Sequence, residues 1–129
     1  MVTPGFSYQG QDLAFVPMPW SATFDLISGN LRRVFERMLA NTDATSAAAI
    51  PVERIRGPIL LVSATTDEFW PWMEMSNDMM LRLREHQFAF HAEHWPITGG
   101  RSEPLDKFPL IEAFLRGHFA ADVSVRECD

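Results

Sequence analysis

Cysteine is nearly absent: among 129 residues only Cys128 carries a thiol, second from the end. One cysteine makes no internal disulfide and no cysteine-based zinc set, and it fits a reducing cytoplasm. Basic residues are also scarce, with 11 Lys and Arg against 17 Asp and Glu, a net charge of −6 and a pI near 5.1. A chain that neutralises a phosphate backbone needs the opposite balance, so no nucleic-acid partner is expected. No span reaches the roughly 18 apolar residues of a membrane helix, and MVTPGFSYQGQDLAF lacks the basic and apolar regions of a signal peptide. We therefore expect no membrane partner and a cytoplasmic location. Glycine-rich phosphate loops are missing too, and neither a cofactor nor a metal is expected.

What the chain does hold is apolar bulk. Hydrophobic residues make up 47%, with ten Phe and four Trp, enough for one core and enough to leave adhesive surface if part of that core's cover lies elsewhere. Residues 1–22 carry Pro4, Pro17, Pro19, Gly5 and Gly10, breakers that suit an extended arm. From Asn30 the spacing of Leu31, Val34, Phe35, Met38 and Leu39 predicts a helix, with Arg32, Arg33, Glu36 and Arg37 toward water and Ser28 or Asn30 as its cap. Asn41-Thr42-Asp43 offers a stop and a fresh cap for the alanines that Pro51 ends. Residues 58–63 are a short apolar run read as a parallel strand covered on both faces. Pro71 would open a helix to about His86, marked by Trp72, Met75, Met79, Met80 and Leu83, its methionines read as packing on the sheet. A second strand over 88–95, a Gly/Pro loop and a helix over 109–119 with Leu110, Ile111, Phe114 and Leu115 inward complete the pattern. Residues 120–129 read as a tail. This order predicts an α/β fold. Two strands alone do not hold a sheet, so the arm, another chain, self-association or further residues must complete it.

The run Ala49-Ile50-Pro51-Val52-Glu53-Arg54-Ile55-Arg56-Gly57-Pro58-Ile59-Leu60-Leu61-Val62-Ser63, followed by Asp67 and Trp70-Pro71, resembles the acyl-CoA thioesterase and bile-acid-CoA:amino acid N-acyltransferase (BAAT) C-terminal family. That family reads roughly I-P-V-E-K-I-x-G-P-[IL]-L-L-[IV]-S-G-x-D-D-x-x-W-P-S, from which Ala64, Thr66 and Trp72 depart. Arg82-Leu83-Arg84-Glu85-His86, Ala113-Phe114-Leu115-Arg116-Gly117-His118-Phe119 and the Tyr8-Gln9-Gly10 arm are similar to it as well. The resemblance implies a partial α/β-hydrolase fold over residues 23–119 that contributes the C-terminal strands and helices of the parallel sheet. It also implies chemistry on acyl-CoA thioesters: hydrolysis, or transfer to an amine.

In such hydrolases the triad acid follows a buried strand, orients the histidine and stabilises its imidazolium. Asp67 stands there by resemblance; by spacing alone it also reads as a cap for the helix near Pro71. The family's histidine closes a loop reading about P-G-A-G-H. One alignment sets Arg101 of Pro96-Ile97-Thr98-Gly99-Gly100-Arg101 on that position, and an always-protonated guanidinium is no general base. The other makes His94 the base, although it also reads as a structural strand histidine. His86 and His118 read as helix-end residues. Of Trp70 and Trp72, one is expected in the core and one exposed. No G-x-[SC]-x-G elbow occurs: Gly5-Phe6-Ser7-Tyr8-Gln9-Gly10 is one residue too long and reads as a loop. Two functions follow. The chain is a fragment of an acyl-CoA-processing domain, inactive alone and taking an acyl-CoA substrate only when completed by other residues, or it is a non-catalytic module on a hydrolase scaffold.

Overall fold

Asn30 sets the start of the first long helix, because its side chain accepts from the Arg33 amide (3.3 Å) and satisfies one of the free N–H groups there. A computed structural model describes residues 6–119. In it α2 (Leu31–Leu39) follows the short α1 (Thr23–Ile27), and Asn41 caps α3 (Thr42–Ala48) by accepting from Ala44 N at 3.2 Å. The apolar stripe of α2 turns inward, with Val34 buried and Leu31, Phe35, Met38 and Leu39 half-buried.

The described part of the arm, residues 6–22, does not supply the missing strand. Its β1 (Ser7–Tyr8) and β2 (Gln11–Asp12) pair with each other, antiparallel, across a turn in which Gln9 (φ 50°) and Gly10 (φ 77°) both take positive φ. Two positive φ angles are what a two-residue hairpin turn needs to match strand twist. A 3-10 turn at Trp20–Ala22 leads from the arm into α1.

The parallel pair is β3 (Ile59–Ala64) and β4 (Ala92–Ile97), in register from Ile59↔Ala92 to Ala64↔Ile97 and connected through α4 (Trp72–Glu85). Three corrections follow. The second strand starts at Ala92 rather than Phe88, because residues 86–88 turn the chain out of α4: Gln87 takes φ 51° and Phe88 N donates to Leu83 O at 2.9 Å. Phe88 then packs on the core formed by Val52, Ile59 and Leu83 instead of joining the ladder. Strand β3 is also less covered than a central strand, with only Ile59, Ser63 and Ala64 fully buried. In α5 (Phe108–Phe119) Phe114 is buried and Ile111 half-buried, but Leu110 and Leu115 are 54% and 50% exposed rather than inward. Within the described residues no element covers that face. No described helix is long and apolar enough to cross a membrane.

One ion pair locks the strand-leading segment to α4. Arg82 Nε and Nη2 donate to Glu53 Oε2 and Oε1 at 2.6 and 2.8 Å, a two-point pairing with little freedom. The Arg82 guanidinium holds the Glu53 carboxyl down at about 2. A carboxyl depressed on folding gives stability that is complete above its unfolded value, near 4.5, and lost as pH falls toward about 2. Thermal melts of Glu53→Gln should therefore lose part of the pH dependence seen in the parent over that window. An unchanged slope would mean the pair is not formed in solution.

Candidate functional site

The loop after β3 is built around Asp67. Its carboxylate is buried, and Oδ1 accepts from the amides of Phe69 (2.7 Å) and Trp70 (2.8 Å). Two short hydrogen bonds converging on one carboxyl oxygen fix this turn. The residue preceding α4 is Pro71, and no side chain caps that helix. Asp67 thus orders the turn before α4 rather than the first turn of the helix itself. With Oδ1 engaged by two amides, Oδ2 is the oxygen left to accept from a further donor.

Arg32 holds the loop from behind. Its guanidinium donates to the Asp67 carbonyl at 2.8 Å, to Glu36 at 2.9 Å and to Glu74 at 2.7 Å, joining α2, the loop and α4. It is therefore partly buried and not simply turned to water, because α2 lies against the loop: Phe35 stacks on Trp70 with ring centroids 3.6 Å apart. Trp72 is exposed, as expected of one of the two tryptophans, but Trp70 is half-buried against Phe35 rather than in the core.

The loop after β4 is joined to the Asp67 loop. Thr65 N donates to Ile97 O (2.9 Å), Thr66 N to Gly99 O (3.0 Å) and Gly99 N to Thr65 Oγ1 (3.2 Å). Gly99 takes φ 127°, a conformation that favours glycine, and a Cβ there would also run into the Glu103 side chain, whereas at Gly100 a Cβ would meet only the movable end of Glu68. Arg101 follows, its guanidinium over the Phe69 ring at 5.0 Å. Asp67 and Arg101 share a cleft of about 270 Å³ with Val62, Ser63, Ala64, Trp72 and Pro104.

His94 lies elsewhere. It pairs with Leu61 inside the β3–β4 ladder, and its Nε2 is 2.7 Å from Ser63 Oγ. Burial pushes its pKa below the usual histidine range, so the neutral ring is favoured. It lines a second cleft, of about 410 Å³, with Asn77, Met80, Arg84, Glu93 and Trp95. The fold therefore brings Arg101 to the Asp67 cleft and ties His94 to Ser63. Ser63 gave only a faint signal in the sequence, a hydroxyl in an otherwise apolar strand. His86 is exposed at the end of α4, its Nδ1 2.9 Å from Arg82 O, and Ser7 lies exposed in the β1–β2 hairpin. Cys128 falls outside the described residues.

The family model described as BAAT / acyl-CoA thioester hydrolase C terminal matches residues 7–119. No curated protein and no solved structure matches the chain. The matched span contains the hairpin, both parallel strands and the five α-helices of the described residues, and it gives the βαβ unit its place in a partial α/β-hydrolase fold. The chain belongs to the BAAT / acyl-CoA thioester hydrolase C-terminal family.

Proposed function

We propose that this chain supplies the acid side of an acyl-CoA thioester-processing site and does not turn over thioesters by itself. The observation that carries the reading is the joined pair of loops. Asp67 stands buried at the end of β3 with one carboxylate oxygen uncommitted, and the residue brought to its cleft from the loop after β4 is Arg101, not a histidine. An arginine holds its proton near neutral pH, so it neither activates a nucleophile nor returns a proton to a leaving thiolate. The 129 residues also contain no G-x-[SC]-x-G elbow to form an acyl-enzyme. Catalysis by this reading needs a nucleophile and a base from residues other than these. The edge of β3 that is unpaired among the described residues and the exposed Leu110 and Leu115 of α5 are surfaces such residues, a partner chain or a second copy would cover.

The second reading, a non-catalytic module on the hydrolase scaffold, is favoured by Arg101, whose cation over Phe69 suits an anionic partner better than proton transfer. The two readings differ in what the adjacent DNA should hold: a neighbouring frame with the elbow supports the first, its absence the second. The direct test is hydrolysis of short- to long-chain acyl-CoAs by the purified chain, with released CoA captured by a thiol reagent. Expected is no turnover above buffer; turnover abolished by Asp67→Ala or His94→Ala would overturn the reading.

A further inference from the structure

Three side chains spread over the last third of the sequence meet beside the start of β4. His91 precedes the strand and already extends its ladder, its carbonyl accepting from Ile59 N at 2.9 Å. Glu93 is two residues on, and along a strand that spacing places both side chains on one face. His118 comes from the last turn of α5. The nitrogen and oxygen donors of the three all lie within 4.8 Å of one another. The two imidazoles stack, with centroids 4.4 Å apart and planes inclined by 14°, and His91 Nε2 is hydrogen-bonded to Glu93 Oε1.

The surroundings hold this group in place. Trp95 Nε1 donates to Glu93 Oε2 at 2.7 Å, orienting the carboxylate as outer hydrogen bonds orient metal-bound carboxylates. The buried Phe114 packs edge-on to Trp95 and lies 4.5 Å from the His118 ring, so α5 is seated where its histidine faces His91. Two imidazoles with one carboxylate form a borderline-soft donor set that suits Zn²⁺ and its neighbours and not Mg²⁺ or Ca²⁺, which take oxygen. Bonds of about 2.0–2.1 Å around a tetrahedral ion put donors roughly 3.3 Å apart. Binding requires the side chains to rotate, opening the imidazole stack, so that donors now within 4.8 Å of one another close to that spacing. His91 and Glu93 remain 45% and 36% exposed, so an ion enters from solvent and keeps water on its remaining positions.

We propose that His91, Glu93 and His118 form a binding site for a divalent transition metal of the Zn²⁺ class, which ties the last turn of α5 to β4. The sequence alone predicts no metal, because its single cysteine makes no zinc set and His118 lies far along the chain from His91 and Glu93. The site is separate from the Asp67 cleft and does not depend on the thioester reading.

The test is titration of the full chain, carrying Cys128→Ser so that no thiol contributes, with Zn²⁺ by calorimetry and with Co²⁺ by visible absorption. One equivalent is expected to bind, with a d–d band for Co²⁺ and a rise in melting temperature of roughly 5–10 °C at a hundredfold excess over Kd. His91→Ala, Glu93→Gln and His118→Ala should each weaken binding by at least about tenfold, whereas His86→Ala should leave it unchanged. Glu93→Gln keeps the shape of the side chain and decides the matter if a histidine variant fails to fold. No saturable binding by the parent, or binding that survives all three substitutions, overturns the proposal.

Discussion

Replacing Asp67 by alanine is expected to remove about 2–4 kcal/mol of folding stability, while Asp67→Asn should retain most of it. Alanine leaves the amides of Phe69 and Trp70 without the acceptor they meet at 2.7 and 2.8 Å in a part-buried turn, and losing two hydrogen bonds to a carboxyl group is costly. The asparagine carbonyl oxygen takes the place of Oδ1 and accepts from the same two amides. Urea unfolding of the three proteins measures this directly. Equal stability of Asp67→Ala and the parent would show that the carboxylate does not hold the turn. The same pair of variants separates the turn from chemistry. If other residues complete a triad around Asp67, Asp67→Asn should keep the fold yet lower thioester turnover by about 10⁴-fold, since an amide there favours the wrong imidazole tautomer.

Leu83→Ala is the second change expected to act strongly, with a loss of about 2–5 kcal/mol. Leu83 is 2% exposed and sits with Val52 and Ile59 at the centre of the core, with Leu61, Met79, Met80, Phe88 and Ala92 packed around them. So small a core has little capacity to close over a cavity, and a loss of that size is a large share of the roughly 5–15 kcal/mol that holds a typical domain. Leu110→Ala, at a site 54% exposed on α5, should cost no more than about 0.5 kcal/mol in the isolated chain. Chemical denaturation of both variants checks the contrast. Similar losses at the two sites would mean that the α5 face is covered in solution, by self-association or by a bound partner.

Local chemistry makes much of this molecule legible in its sequence. Asn30 and Asn41 are short acceptors before helical stretches, and each caps its helix. Pro58 and the apolar run after it lead into β3, and the spacing along α2 places Val34 inside, because helical period and side-chain polarity are properties of a segment alone. The specific run from Ile50 to Ser63 is enough to point to the family that residues 7–119 match. Harder to read is the start of β4: residues 88–91 are as apolar and aromatic as a strand, but the turn out of α4 and the register against β3 claim them first. The inward face of α5 differs from its sequence pattern for a related reason, since which side of a helix is buried depends on neighbours and not on the helix.

What the sequence alone determined is therefore the kind of element over most stretches, though not the short α1 or residues 88–91, together with the family and the position of Asp67 just past a strand. Only the tertiary structure decided which distant groups meet. It set Arg32 on the Asp67 carbonyl, Arg101 in the Asp67 cleft, Ser63 against His94, and His118 beside His91 and Glu93. Periodicity and capping act over a few residues, and a sequence displays them directly. Contacts between loops and between a strand and a far helix arise only when packing fixes the relative positions of elements, and no local pattern encodes that distance.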